Sequence, residues 1–496
     1  MIGWVSLVAG VLFLLTVGDA QAEPMADEME DEPSGMPASQ AVPAPTPALP
    51  AAPVRAATPL VQPSDETASY GGPLWSRGNL FGDPGGYRSA ARMRGLTFTL
   101  EEQAEVLGNL TGGTRRGAVV EGALSMGVAL DTGKAGLWPG GLLNVSAYQI
   151  HGRGLSLNHL GNNLNTVSGL EALPGTLLYE LWYQQEFFGG GLNIRVGQLA
   201  ADQEFMVSNY SELFLNNAFG WPTLAGADLP SGGPAFPLAT PGARLRAKPL
   251  PNLTILLGVF NGDPAGPGEG LPQTRNASGT AFRVNDGALV IGEVQYTIGG
   301  VQSAMLPGSY KLGAWYNSAR LSGQPSSGVD IGSSISQKMA GRTPKGNWSI
   351  YGLADQMLFR KSGTEDEGIG VFLRVLGAPG DRNLVNVSAD FGLTWKGIVP
   401  GRTDDTAGVG FGLARVSSSF IHGGGSFRTL GGSGNLSGHT ESVLELTYQA
   451  QLAPWWQVQP TAQYLSNLGG GARNSEQPGK RLGNSAVLGL RTAVTF

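Results

Sequence analysis

Glu180, Trp182 and Glu186 fall on one face of an alternating stretch, and Asn193 and Arg195 follow at the same spacing a few residues on. Carboxylates, amides and a guanidinium can share hydrogen bonds with many hydroxyl groups, while an indole face covers C–H surface. The combination suits a neutral ring that is hydroxylated on its edge and apolar on its faces. A tryptophan on an otherwise polar face is costly unless it meets a solute or a folded-in segment. The Gly/Pro-rich stretch from Ala200 to Ala247 adds Asp202, Glu204, Phe205, Trp221 and Arg244. The reading is that Glu180, Trp182, Glu186, Arg195, Asp202, Glu204, Phe205 and Arg244 line one polar passage. The competing reading is a salt-bridged wall that only stabilises the fold, with the long stretch outside it as a lid or subunit contact.

Other chemistries find little support. The chain of 496 residues has no Cys, which excludes a disulfide scaffold, thiolate-held metals and a thiol nucleophile. His151, His159, His422 and His439 are scattered and form no metal-binding pair. Gly408-Val-Gly-Phe-Gly412 lacks the helix that a dinucleotide fold requires, and Gly479-Lys480 is followed by Arg481 where a phosphate loop needs Ser or Thr. No nucleophile elbow occurs. Neither an enzymatic activity nor a cofactor is expected. A net charge of -6 gives no sign of a nucleic-acid partner.

The elements that must position these residues are strands. Leu444, Leu446, Tyr448, Ala450 and Leu452 alternate with Glu445, Thr447, Gln449 and Gln451. Gln457, Gln459, Thr461 and Gln463 repeat the pattern, as do Ser388, Asp390 and Thr394 between Val385 and Trp395. Leu177, Tyr179, Leu181 and Tyr183 are set against Glu180, Gln184 and Glu186. Further strands are expected at Val119–Leu130, Gly191–Gly197, Leu253–Phe260, Leu289–Ile298, Tyr310–Asn317, Gly368–Val375 and Ala486–Phe496. Side chains of a strand alternate between faces, so each segment has one apolar and one polar surface. A soluble sandwich would turn the apolar surface inward; a membrane barrel would turn it outward. Tyr448, Trp456, Tyr464 and Trp395 near strand ends suit an aromatic girdle, and charged or amide residues on nearly every polar face suit a wet lumen. The chain also ends in an alternating strand at Phe496. The expectation is an all-β protein, a transmembrane antiparallel β-barrel of about sixteen strands, with eighteen also fitting at about 9–11 residues each. Asp390, Lys396, Glu445 and Arg491 are expected to be solvated lumen charges.

Ahead of the barrel, Ile2 to Gly18 is an uncharged apolar run ending in Ala20-Gln21-Ala22. It reads as a signal peptide over 1–22, with an uncleaved anchor as the alternative. Residues 23–72 form an acidic and Pro/Ala-rich disordered tether, which cannot bury enough apolar surface to order itself. The barrel domain occupies 73–496.

From Trp75 to Phe496 the sequence resembles the carbohydrate-selective outer-membrane porins of the OprB type. The resemblance rests on Trp75-Ser-Arg-Gly-Asn-Leu-Phe-Gly-Asp83, Leu178-Tyr-Glu-Leu-Trp182, Gln185-Glu-Phe187, Ile194-Arg-Val-Gly-Gln198 and the segment from Ser211 to Pro222. It continues in Glu445-Leu-Thr-Tyr448, Pro454-Trp455, Gln459-Pro460, Gln463-Tyr464 and Gly489-Leu-Arg491. It implies passive, inward diffusion of small glucose-like sugars across a bacterial outer membrane, with outer-membrane lipid as surroundings. The alternatives are a general diffusion porin without sugar preference and a plugged structural barrel. Whether the barrel is a monomer or a homo-oligomer such as a trimer stays open.

Overall fold

The computed structural model describes residues 70–496 apart from 162–163, 269, 300–302, 304, 320–329, 332–345, 420–425, 430–431, 436–439, 475 and 478. The expected signal peptide and all of the expected tether up to residue 69 lie outside the described residues, as do His422 and His439.

Sixteen strands close into one antiparallel barrel. The first eight are β1 (Leu96–Gly113), β2 (Gly117–Asp131), β3 (Gly141–Gly152), β4 (Gly175–Phe187), β5 (Leu192–Leu199), β6 (Thr240–Leu250), β7 (Leu253–Asn261) and β8 (Ala288–Ile298). They are followed by β9 (Gly308–Asn317), β10 (Asn347–Arg360), β11 (Gly368–Gly377), β12 (Val385–Lys396), β13 (Thr406–Val416), β14 (Thr440–Ala453), β15 (Trp456–Ser466) and β16 (Gly483–Thr495). Each strand pairs with the next, and β16 pairs back onto β1 with Arg491 opposite Glu105. Three short strands, Asp330–Ile331, Ser426–Thr429 and Gly432–Asn435, make a separate sheet. Two short helices matter below: α1 (Tyr87–Met93), ahead of β1, and α2 (Thr223–Asp228), between β5 and β6.

One end of the barrel carries short turns such as 188–191, 251–252 and 454–455, and the other carries long segments such as 153–174 and 262–287. The stripes point as the alternation requires: Leu446 on β14 is 53% exposed on the outer surface, while Glu445 beside it is fully buried inside. Two β-bulges shift this phase. Val145 of β3 faces Leu181, but Ala147 faces Leu178, so β4 carries an extra residue there. Leu177 and Tyr179 consequently point inward and are buried, although alternation had grouped them with the outward Leu181. A second irregularity, between Val385 and Val387 of β12, likewise turns Val385 inward. A bulge opposes two residues to one, and every side chain beyond it changes face.

The segment 200–239 folds into the barrel and supplies about a third of the buried residues of its interior core, including Leu213, Phe214, Phe219, Trp221 and Leu224. The stretch expected to run to Ala247 therefore ends earlier, and Arg244 stands on the wall strand β6. Phe214 and Phe219 pack at 4.7 Å on each other and against Phe372 of β11. Gly408, Gly410 and Gly412 on the inner face of β13 make room for them. A Cβ on Gly410 would lie 2.8 Å from the Phe219 ring, and one on Gly408 would lie 2.5 Å from Leu213.

Polar side chains of the wall bind the backbone of this inner segment. The Arg374 guanidinium donates to the carbonyls of Met206 (2.7 Å), Gly220 (2.8 Å) and Ala218 (2.9 Å), and pairs with Asp390 at 3.0 Å. Glu445 accepts from the amides of Leu215 and Asn216 at 2.8 and 2.9 Å. Glu293 accepts from the Met206 amide, Lys311 donates to the Val207 carbonyl, and Asp355 accepts from the Asn209 amide. Arg491 pairs with Glu105 across the β16–β1 seam. Asp390, Glu445 and Arg491 are thus buried and bonded rather than solvated: the inner segment covers Asp390 through Arg374 and Glu445 directly, while Arg491 is held by Glu105 of β1 and Ser168 of the 153–174 segment. Lys396, near the turns, pairs with Asp366.

Candidate functional site

On β4, β5 and β6 the register sets inward-facing polar residues in two adjacent rows. Gln184, Arg195 and Arg244 are successive partners across the three strands, and Glu186, Asn193 and Arg246 form the next row. Such a ladder needs strands of strict alternation, and β5 and β6 provide it. Gly197 faces Trp182 with a φ of +144°, where a Cβ would lie 2.6 Å from the Trp182 Cα, so glycine is required there.

Glu204 reaches this wall from the inner segment. It pairs with Arg195 at 2.9 Å and with Arg244 at 2.7 Å. Gln184 Oε1 accepts from Arg195 Nη2 (2.9 Å) and from Arg244 Nη2 (3.1 Å), and Arg244 also donates to Asn193 Oδ1. The Arg195 guanidinium lies 3.9 Å from the centre of the Trp182 ring. Burial pushes the Glu204 carboxyl up, but the guanidiniums of Arg195, Arg244 and Arg246 outweigh it and hold the group below its ordinary range. Glu204 is therefore ionised at neutral pH, amid three cations. Arg195 and Glu204 both keep part of their surface open inside the barrel. Fixed guanidinium and carboxylate groups of this kind can donate to and accept from a hydroxylated solute without changing their own partners.

The remaining predicted residues divide by location. Trp182 is only 5% exposed and lies beneath Arg195, so it meets a neighbouring side chain of the wall and not open water. Glu186 sits toward the turns and accepts from Asn193 Nδ2 at 3.2 Å. Glu180, Asp202 and Phe205 are buried where the inner segment departs from the wall. Glu180 accepts from the Ala200 amide at 3.1 Å; Asp202 accepts from the Phe236 amide at 3.0 Å and from the Tyr179 hydroxyl at 3.2 Å. Phe205 packs edge-on against Phe260. Trp221 donates to the Gly232 carbonyl within the segment itself. Toward the turns, Gln103, Gln449, Gln457, Gln459 and Arg491 line a small cavity of about 10 Å³, room for one water. Among the described residues, no cluster of His, Asp and Glu is placed to hold a metal ion.

Arg246, Arg374, Asp355 and Glu293 were missed from sequence. Arg246 shares its face with Arg244 and follows once β6 is recognised as a strand. Arg374 is the single charge in the apolar run of β11, opposite Asp390 in the register; an isolated arginine there was a signal available to be read.

The pattern of the carbohydrate-selective porin, OprB family, matches residues 115–496. Porin B of Pseudomonas aeruginosa is 24% identical over 448 residues, covering 84% of this chain and 91% of that protein. The fold is shared with Pseudomonas putida OprB. Its high-pH structure superposes with a TM-score of 0.71 at 21% identity, over 86% of this chain and all of that one. Its low-pH structure gives 0.52 at 19% identity, over 85% of this chain. With the family pattern spanning most of the sequence and the sixteen-stranded barrel built around an inward-folded segment, the chain belongs to the carbohydrate-selective porin, OprB family.

Proposed function

We propose that this outer-membrane porin passes small, glucose-like sugars by passive inward diffusion, and that Arg195, Arg246, Glu204 and Glu186 face the passing solute at its narrowest level, with the buried Arg244 holding Glu204 from the wall. The observation that carries the reading is the Glu204 bridge: the inner segment is fastened to the buried Arg244 and to Arg195, and Arg195 and Glu204 keep polar surface open inside the barrel. Hydroxyls on a sugar edge can exchange hydrogen bonds with such groups. Weak binding of this kind suits a channel, since a tightly held solute would leave too slowly. Trp182 positions Arg195 from beneath. Glu180, Asp202 and Phe205 hold the root of the inner segment, so they act on the passage through its shape. Residues 1–22 direct export and are removed, and 23–72 tether the barrel domain.

Glucose flux into proteoliposomes tests the reading. Arg195→Gln and Glu204→Gln are expected to lower the ratio of glucose flux to that of a polyol of similar size. An unchanged ratio in both variants would assign the cluster to the wall alone and favour a general diffusion porin.

A further inference from the structure

The segment ahead of β1 is fixed to the turn end of the barrel, yet it leaves a large apolar surface uncovered. The Leu80 amide donates to the Thr495 carbonyl and Arg88 Nη2 to the Phe496 carbonyl, both at 2.8 Å. Trp455 Nε1 donates to the Leu74 carbonyl at 2.7 Å, and Phe81 packs on Phe496 with ring centres 5.3 Å apart. These bonds lock residues 74–88 across the ends of β14, β15 and β16. Even so, Trp75 stays 61% exposed, Tyr87 79% and Met93 75%, with Phe81 exposed beside them.

The charge of the segment is as one-sided as its hydropathy. Residues 70–94 contain Arg77, Arg88, Arg92 and Arg94 against Asp83 alone, in a chain of net charge -6. Asp83 is already engaged, accepting from the Arg88 amide at 2.8 Å and from the Ser89 hydroxyl. The surface is also continuous with the outer girdle. Trp75 stacks on Trp455 at 6.1 Å, and Trp455 stacks on Trp456, the first residue of β15, at 5.9 Å. Exposed aromatic and apolar side chains interleaved with arginines in one short segment describe an interfacial membrane segment. Short turns mark the periplasmic end of an outer-membrane barrel, where the facing leaflet is phospholipid.

We propose that residues 70–94 form an interfacial foot that binds the phospholipid surface of the inner leaflet, with Trp75, Phe81, Tyr87 and Met93 entering the headgroup boundary and Arg92 and Arg94 contacting anionic headgroups, while Arg77 and Arg88 are held by backbone carbonyls. The foot holds the β16–β1 seam at the membrane level whichever solute crosses the barrel.

The absence of Cys permits a clean test on the full chain. Tyr87→Cys carries an environment-sensitive fluorophore in vesicles of phosphatidylcholine, with or without phosphatidylglycerol. Glu365→Cys, in the exposed turn 361–367, is the comparison. Heat-dependent gel mobility verifies that each barrel is folded. The label at 87 is expected to be quenched by lipids brominated near the headgroup and shielded from aqueous iodide, more so with phosphatidylglycerol; the label at 365 answers to iodide only. Adding Arg94→Glu is expected to lower the preference for phosphatidylglycerol at least ~5-fold. Iodide access at 87 equal to that at 365 would overturn the proposal. So would shielding from both quenchers, which would mean that residues 1–69 or a second copy cover the surface.

Discussion

Replacing Arg374 with Met tests whether wall charges keep the inner segment in place. The side chain is fully buried, donates to three carbonyls of the segment and neutralises Asp390. Breaking a buried ion pair by removing one partner costs about 3–5 kcal/mol. Each stranded carbonyl adds about 1 kcal/mol or more when water cannot reach it. Lumen water will rehydrate part of the site, so the expected loss is about 4–6 kcal/mol. Methionine fills much of the volume, which keeps cavity formation a minor contribution. The double variant Arg374→Met with Asp390→Asn removes the uncompensated charge and should recover about 2–3 kcal/mol, leaving the loss from the carbonyls. Urea unfolding in lipid vesicles reads the stability, and single-channel recording reads the segment. Arg374→Met is expected to raise conductance and current noise as residues 206–220 detach on that side. A stability within about 1 kcal/mol of the parent, together with unchanged conductance, would refute the anchoring role.

Further outcomes follow from the same contacts. Trp182→Ala removes the support under Arg195, a desolvated cation–π contact of about 2 kcal/mol, and should weaken sugar block of the ion current roughly 10–30-fold while leaving the barrel folded. Arg246→Glu reverses one charge at the ladder and should shift the zero-current potential in a salt gradient toward cations; no shift would place Arg246 away from the ion path. Gly410→Val drives a side chain into the Phe219 and Phe214 rings and should cost about 1–3 kcal/mol, whereas Gly377→Ala, with open space around it, should be nearly neutral by the same unfolding assay. Burial raises the Glu171 carboxyl well above its ordinary value near 4.5, with Glu105 nearby adding to the shift while hydrogen bonds from Ser156 oppose it. The folded chain then holds a proton there that the unfolded chain has released. The stabilising contribution is complete below about pH 4.5, falls by up to about 1.4 kcal/mol per pH unit as the pH rises, and is lost once the pH passes about 8, where the folded carboxyl also releases its proton. Glu171→Gln should flatten that decline in a pH series of unfolding midpoints, and an unaltered slope would assign it elsewhere.

What was legible in the sequence is what alternation controls. Strand positions, the outward turn of Leu444 and Leu446, and the inward turn of Glu445 and Gln463 follow from residue type at a spacing of two, while the inner segment after Leu199 shows as a long Gly/Pro-rich stretch. The phase slips at Tyr179–Glu180 and Val385 were not legible, because a bulge adds a residue without changing composition. The end of the inner segment was also hidden: the β6 run Thr240–Leu250 carries two prolines and three cationic residues, which weaken its strand signature.

The fate of the inward charges marks a deeper limit. Alternation assigns a side chain to the lumen, but a lumen residue has two possible neighbours, water and the inner segment, and sequence spacing treats them alike. Asp390, Glu445 and Arg491 share their face pattern with Arg195, yet the first three are buried and bonded while Arg195 keeps open surface. The difference lies across the barrel, in where residues 200–239 and, for Arg491, the 153–174 segment come to rest. The inward glycines of β13 were the available clue. Three glycines on one face of a strand, where neighbouring β12 carries Asp and Thr and β14 carries Glu and Gln, mean that backbone or bulky rings press against that wall. On that argument β13 is the seat of the inner segment, the charges flanking it are its fasteners, and the arginine ladder about half the strand order away is the wall proposed to face the solute. Substituting the seat should alter stability first and selectivity second, while substituting the ladder should do the reverse.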